Sequence, residues 1–205
     1  MLLKIFPENI NDRYIDRAVK LLREGGVVVI PTDTIYALAC DIKRSDAFER
    51  ICQIKQVKVD KANFSFICYD LSNISDFTKP FSTSVFRLMK NCLPGPFTFI
   101  LNANNNVPTI FKSNKKTIGI RVPDNAITRR LVQELGNPIM VTTIPGGADI
   151  TNYSTDPLEI DAHIGERVDL VIDGGSSELE PSTIIDCTEN DPFIIRQGKG
   201  KVDII

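Results

Sequence analysis

Two hydroxyls and a carboxylate follow an apolar run near the start of the chain. Residues 27–30 are valines and isoleucine, typical of a buried strand, and "PTDT" at 31–34 comes directly after them. Ligands bind open α/β sheets at the carboxyl ends of strands, so these side chains are candidates to orient a substrate. Threonine and aspartate are also common in turns, and on the pattern alone a simple polar turn stays an equal alternative.

Basic residues concentrate in two segments of a chain whose net charge is −2. The segments are "KQVKVDK" at 55–61 and "KSNKKTIGIR" at 112–121. They favour an anionic ligand, although lysine-rich loops more often only face solvent. Arg121 differs from the lysines because it lies in an apolar stretch, where burial of an unpaired guanidinium is costly. We therefore expect an anionic partner for Arg121, from the protein or from a ligand.

A third polar group lies near the end of the chain, in "STIIDC" at 182–187 and "IIRQGKG" at 194–200. Arg196 precedes two glycines there, and glycines beside a cation let backbone amides approach a phosphate. The sequence contains neither GxxxxGK[ST] nor GxGxxG, which excludes phosphate binding through those two motifs.

Composition excludes several other classes of protein. Hydrophobic residues make up 42% and charged residues 24%, as in soluble globular domains, and no apolar run approaches the roughly 20 residues of a membrane span. The first residues are too polar for a secretory signal, so we expect a cytoplasmic protein without a membrane partner. Five scattered cysteines indicate reduced, mostly buried thiols rather than a metal site. His163, the single histidine, is expected to be structural or exposed.

Local patterns predict the elements that must position these residues. Helices are expected at 12–24, 46–55, 83–92, 124–136 and from 156, with Asn11 or Asp12, Ser45 and Asp124 as N-caps. Strands are expected at 27–30, 64–68, 97–101, 117–122, 139–143, 169–173, 182–187 and 193–196. Helices interleave with strands early, and the last strands follow one another through short turns. The prediction is a single α/β domain over residues 1–205, with a mixed sheet covered by helices.

Taken in order, these segments resemble the YrdC-like domain family, particularly its YciO-type branch. The matching segments run from about residue 24 to residue 200 and are "GGVVVIPTDTIYAL", "ICQIKQVK", "LPGPFTFIL", "IGIRVPDN", "GNPIMVTT", "STIIDCT" and "IIRQGKG". The resemblance implies a twisted mixed parallel and antiparallel sheet around a positively charged concave face that binds nucleotide and RNA. In the synthase branch, a nucleotidyltransferase converts ATP, threonine and bicarbonate into threonylcarbamoyl-adenylate and pyrophosphate for modification of an adenosine in transfer RNA.

The resemblance also implies a role for each matching residue. Lys55, Arg121 and Thr32 would be catalytic, Thr34, Thr142 and Thr143 would bind the amino acid, and Lys58, Ser182, Thr183 and Arg196 would bind the nucleotide. ATP would enter with Mg²⁺ as a substrate, the ion being held mainly by the phosphates. Neither a tightly bound cofactor nor a protein metal site is expected.

Two positions depart from the synthase pattern, and they leave three functions open. Val57 stands where the Lys-x-Arg motif has its arginine, and Pro145 stands where the family has an asparagine. Lysine does not reproduce the bidentate fork of arginine, so replacement by Lys58 is an open question. The first function is a threonylcarbamoyl-adenylate synthase or a diverged relative, and the second is an ATP-dependent enzyme acting on another small acid. The third is a module without synthase activity that binds double-stranded or transfer RNA through Lys55, Lys58, Lys112, Lys115, Lys116 and Arg196.

Overall fold

A computed structural model of the protein describes residues 1–108, 111, 116–145, 155–189 and 191–203. Within these ranges ten strands form one sheet: β1 Leu2–Lys4, β2 Val28–Ile30, β3 Ala37–Asp41, β4 Ser65–Ile67, β5 Phe97–Asn102, β6 Thr117–Arg121, β7 Ile139–Thr143, β8 Leu170–Asp173, β9 Thr183–Asp186 and β10 Phe193–Arg196. Five α-helices accompany them: α1 Asp12–Arg23, α2 Ser45–Lys55, α3 Thr83–Cys92, α4 Ala126–Leu135 and α5 Pro157–Ile164. None of these helices is long and apolar enough to cross a membrane.

The sheet has the strand order β1-β8-β2-β3-β7-β4-β6-β5-β9-β10 and is mixed. Parallel pairs are β1 with β8, β2 with β8, β4 with β6, and β5 with β9. The other neighbours run antiparallel. The predicted α/β domain with a mixed sheet is confirmed, while its extent over residues 1–205 stays a prediction.

Two apolar cores lie on opposite faces of the sheet. The first joins Phe48 and Ile51 of α2 and Met89 of α3 to strand residues such as Phe99 and Ile120. The second joins α1 and α4 to β8, β2, β3 and β7, with one further residue from β4. No described residue of β5, β6, β9 or β10 belongs to this second core. That face of the four strands is therefore free to carry polar side chains.

Most predicted elements are confirmed within two residues, and the exceptions have local causes. β1 and β3 were missed; β3 is buried on both faces, so its sequence shows no alternation. The cap of α4 is Asn125 rather than Asp124, because the Asn125 side chain accepts the N–H of Thr128 at 3.0 Å. Ser45 is the first residue of α2, and no side chain caps that helix.

The predicted burial of the cysteines is confirmed, and His163 is exposed as one of its two predicted settings. All five cysteines are buried and free, so they act as apolar core residues rather than as a disulfide framework. Burial raises the pKa of the Cys68 thiol to about 12, which keeps it protonated near neutral pH. His163 is exposed on α5.

Candidate anion-binding site

A row of side chains crosses the sheet on the face that the second core leaves uncovered. Thr98 of β5 pairs with Ile184 of β9, and Ile184 pairs with Arg196 of β10. The antiparallel register of β5 and β6 puts Arg121 on the other side of Thr98. Because side chains alternate along a strand, these four point to one face. We call the row Arg121, Thr98, Ile184 and Arg196 the polar face.

The loop "PTDT" contacts the polar face through Asp33 and Thr34, and Thr32 supports Thr34 from within the loop. Thr32 donates its hydroxyl hydrogen to the carbonyl of Ile35 at 2.8 Å. In the 3.0 Å contact between the hydroxyls, Thr34 is therefore the donor and Thr32 the acceptor. Thr32 also accepts the N–H of Thr34 at 3.1 Å. Both hydroxyl hydrogens are thus used within the loop, so neither is left for a substrate.

Arg121 links this loop to the sheet and is buried, with 7% of its surface exposed. Its Nη2 donates to Asp33 Oδ1 and to Thr34 Oγ1, both at 3.0 Å. Burial lowers the pKa of Arg121; the Asp33 carboxylate opposes this shift, and Arg196 adds to it. The predicted anionic partner of Arg121 is therefore confirmed as Asp33. The Nε atom of Arg121 is buried without a hydrogen-bond partner among the described residues.

Lys55 and Thr143, which the sequence placed in one site, are in contact. Lys55 ends α2, and its Nζ donates to the carbonyl of Thr143 at 2.5 Å and to its Oγ1 at 2.9 Å. Burial lowers the pKa of Lys55, and Cys52 opposes the shift. Thr143 accepts through its oxygen and so keeps a hydroxyl hydrogen to donate. Thr142 faces away and donates to the carbonyl of Asn63 at 2.7 Å.

Ser182 borders the polar face and contacts two of its residues. Its hydroxyl lies 2.8 Å from the Thr98 hydroxyl, and both side chains are buried. One hydrogen is used between the two oxygens, so one remains for another acceptor. Arg196 donates through Nη2 to the carbonyl of Ser182 at 2.8 Å.

Thr183 faces the other side of β9, and its hydroxyl holds the turn after β10. It donates to the carbonyl of Gly200 at 2.6 Å and accepts from the N–H of Gly198 at 2.9 Å and from Gln197 at 3.2 Å. A Cβ on Gly198 would lie 2.2 Å from the carbonyl of Pro181, which is why glycine is required here. The hydroxyl of Thr183 has no hydrogen bond left, so contact with a nucleotide through it would require this turn to open.

No hydrogen bond among the described residues joins Lys55, Thr142 or Thr143 to the polar face, and other predicted residues also lie apart from it. Lys58 is exposed beside the short helix Val59–Lys61, and its nucleotide contact stays a prediction. Val57, where the resemblance implies an arginine, is 37% exposed. Lys112 and Lys115 lie outside the described residues, and Lys116 is exposed with a φ of 55°. The described residues contain no cluster of three or more metal-binding side chains.

The resemblance to the YrdC-like family implies no individual role for three residues at this site. Asp33 binds Arg121, and Thr98 lies between the two arginines of the polar face. Lys199 donates to the carbonyl of Asp33 at 2.9 Å and pairs with Glu178 at 3.1 Å. For Thr98 a signal existed, because it is the polar residue in the alternation of "FTFIL". A groove of about 410 Å³ lies beside Asp33 and Lys199.

Comparisons with known proteins agree with this architecture. The Sua5/YciO/YrdC family model, described as telomere recombination, matches residues 20–198. The uncharacterised protein YciO of Escherichia coli K12 is 43% identical over 201 residues, which cover 97% of this chain and 95% of that protein. The crystal structure of E. coli YciO matches with a TM-score of 0.89 at 41% identity, covering 98% of this chain and 97% of that one.

Two relatives of lower sequence identity are described by an enzyme name or by a bound ligand. The threonylcarbamoyl-AMP synthase of Bacillus subtilis is 32% identical over 196 residues, covering 92% of this chain and 54% of the synthase. The crystal structure of Pyrococcus abyssi Sua5 complexed with L-threonine matches with a TM-score of 0.87 at 25% identity. It covers 97% of this chain and 57% of that one. This chain therefore spans little more than half the length of these two proteins.

Proposed function

Because the chain belongs to the Sua5/YciO/YrdC family, we propose that it binds ATP with Mg²⁺ on the polar face and transfers AMP to a carbamate of threonine. Threonine and bicarbonate first give threonylcarbamate and water. A carboxylate oxygen of the carbamate then attacks the α-phosphorus, and the bond from that phosphorus to the β-phosphate oxygen breaks. The products are threonylcarbamoyl-adenylate and pyrophosphate.

The observation that carries this proposal is the buried Nε of Arg121, which has no hydrogen-bond partner among the residues that the structure describes. An unsatisfied buried donor is costly, and in a cationic group the cost is larger. An oxyanion of the substrate would satisfy it. Arg196 adds positive charge close enough to lower the pKa of Arg121, so the two cations already repel each other before a ligand arrives. A phosphate or carboxylate would relieve this repulsion as well.

Lys55 and Thr143 would complete the site with two further donors. Two of the three ammonium hydrogens of Lys55 are used by Thr143, which leaves one for a phosphate or carboxylate oxygen. The hydroxyl hydrogen of Thr143 and the remaining hydrogen of the Thr98–Ser182 pair are also available. Donors fixed in advance stabilise the negative charge that spreads over the phosphates in the transition state. Thr34 holds Arg121, and Thr32 shapes the loop through its bonds to Thr34 and Ile35.

The relatives support the substrates of this proposal. P. abyssi Sua5 has been crystallised with L-threonine, and the B. subtilis relative is named a threonylcarbamoyl-AMP synthase. Val57 and Pro145 are the reasons for testing the acid directly, because each removes a polar group that the synthase pattern provides.

Pyrophosphate release from ATP and Mg²⁺ tests the proposal, with threonine and bicarbonate each omitted in turn. We expect release that needs both compounds and falls at least about tenfold in Arg121→Lys, which keeps the charge but loses the fork. Release that needs another small acid instead of threonine would favour the second function. No release, with RNA bound in a salt-dependent way, would favour the RNA-binding module.

A further inference from the structure

Asp33 stands inside the proposed anion site although its own charge is negative. Its side chain is 7% exposed and contacts Arg121 and Asp124, which lie 88 and 91 residues further along the chain. Oδ1 accepts from Nη2 of Arg121 at 3.0 Å, and Oδ2 accepts the N–H of Asp124 at 3.1 Å. The carbonyl of the same residue accepts from Lys199 at 2.9 Å. Asp33 is therefore held at both ends and cannot turn away when a ligand binds.

The Asp33 carboxylate occupies one nitrogen of the Arg121 guanidinium together with Thr34. Asp33 and Thr34 together take both hydrogens of Nη2. Nε is left without a partner among the described residues. Because two contacts fix one end of the planar group, the guanidinium cannot rotate to meet an anion from another direction. With both Nη2 hydrogens used, the hydrogens that remain for a ligand are those of Nε and Nη1.

The same carboxylate also lowers the positive charge that a ligand meets. Among the described residues it is the carboxylate in contact with Arg121, and it opposes the unfavourable effects of burial and of Arg196 on that cation. It therefore holds the Arg121 guanidinium in place when the site is empty. A bound anion must share Arg121 with it, which weakens the affinity for any simple anion.

We propose that Asp33 is a positioning residue that competes with the ligand for Arg121, lowering anion affinity while fixing the guanidinium for turnover. Removal of the Asp33 charge should therefore raise the affinity for simple anions and lower the rate of turnover. Simple anions should bind more tightly, because a repelling charge is gone. Turnover should slow, because an unanchored Arg121 can bind phosphate oxygens in unproductive orientations.

The experiment compares the wild type with two neutral variants, Asp33→Asn and Asp33→Ser. The serine variant leaves room for water at the N–H of Asp124, where the asparagine amide would meet another donor. Asp33→Glu restores the charge and serves as the rescue. Glu178→Gln is the matched control, because Glu178 pairs with Lys199 beside the same groove and has no ion pair with Arg121. Unfolding midpoints and circular dichroism identify which variants keep the native fold.

Pyrophosphate binding by calorimetry is the first measurement, since it does not require turnover. We expect both neutral variants to bind pyrophosphate at least about threefold more tightly than the wild type, with a steeper dependence on salt. Asp33→Glu and Glu178→Gln should match the wild type within about twofold. Unchanged or weaker binding in folded neutral variants, or no pyrophosphate binding by any of the proteins, would overturn the inference.

The second measurement is turnover, and this arm alone rests on the proposed function. At saturating ATP, kcat should fall at least about tenfold in the neutral variants, while the KM for ATP stays the same or falls. An unchanged kcat would overturn the positioning role. If the wild type itself releases no pyrophosphate from ATP, the proposed function fails, and the binding measurement still decides whether Asp33 competes for Arg121.

Discussion

Lys55→Met should separate the function of Lys55 from any contribution to stability. Methionine keeps most of the methylene stem that packs against the protein but lacks the ammonium group. The ammonium makes two hydrogen bonds, to the carbonyl and the hydroxyl of Thr143. Burial nevertheless lowers its pKa, so the fold disfavours the charged form relative to the unfolded chain. The two hydrogen bonds do not fully offset the loss of hydration.

The stability change follows from these opposing contributions. Thr143 is only partly buried, so water can replace the lost donor. We therefore expect the free energy of unfolding at neutral pH to change by less than about 1 kcal/mol. The affinity for ATP should fall roughly tenfold to a hundredfold, because a hydrogen bond from a charged group contributes about 1.5–3 kcal/mol. Function should be lost while the fold is kept.

Urea unfolding and calorimetric titration with ATP and Mg²⁺ measure the two quantities on the same samples. Lys90→Met is the matched control, since Lys90 is an exposed lysine at the end of α3. Because the folded pKa of Lys55 lies below its unfolded value, the folded state binds fewer protons between the two values. Stability of the wild type should therefore rise with pH in that window, and Lys55→Met should lack this contribution. A loss of more than about 2 kcal/mol with ATP affinity intact would refute the reasoning.

Three further predictions concern the surroundings of the site. Tyr36→Phe should lower the free energy of unfolding by about 1–3 kcal/mol, because the buried hydroxyl donates to one backbone carbonyl and accepts from a neighbouring N–H. Both variants would be measured by urea unfolding, with Tyr69→Phe as the control because the Tyr69 ring is exposed. Equal changes in the free energy of unfolding for the two variants would contradict the prediction. Gly198→Ala should lower the unfolding midpoint, because the new Cβ would lie 2.2 Å from the carbonyl of Pro181; an unchanged midpoint would count against the tight turn. ATP binding should weaken at a pH below 10.5, the ordinary lysine pKa, as Lys55 loses its proton. In Lys55→Arg the weakening of ATP binding should move to higher pH. Identical pH profiles of ATP affinity in the wild type and in Lys55→Arg would show that another group titrates.

Local sequence patterns were sufficient to predict the helices and strands that are marked by caps, turns or apolar runs within a few residues. Gly136 ends α4 in a left-handed conformation with a φ of 79°, as its place after "QEL" indicates. "IMVTT" became β7 as expected. β3 escaped prediction because burial on both faces removes the alternation that marks a half-exposed strand. Its apolar residues alone do not distinguish a strand from the continuation of a loop.

The contacts within the site depend on strand order, which the sequence does not state. Asp33 and Arg121 are 88 residues apart, and Thr98 and Ser182 are 84 apart. The apolar strand around Arg121 indicates a cation in need of a partner, because burial of a lone guanidinium is costly. The same pattern does not single out Asp33, since many carboxylates are equally eligible and only the packing of the loop after β2 against β6 brings Asp33 to Arg121. The hydrogen-bond directions of Thr32 and Thr34 likewise required coordinates.

Trapping the product with labelled bicarbonate tests the central claim most directly. The protein would be incubated with ATP, Mg²⁺, threonine and ¹³C-bicarbonate, quenched, and analysed by mass spectrometry for threonylcarbamoyl-adenylate. We predict that this adenylate forms carrying the label, that omission of threonine abolishes it, and that Lys55→Met reduces it at least about tenfold. No labelled adenylate from protein that still binds ATP would contradict the proposal that the polar face activates a carbamate of threonine.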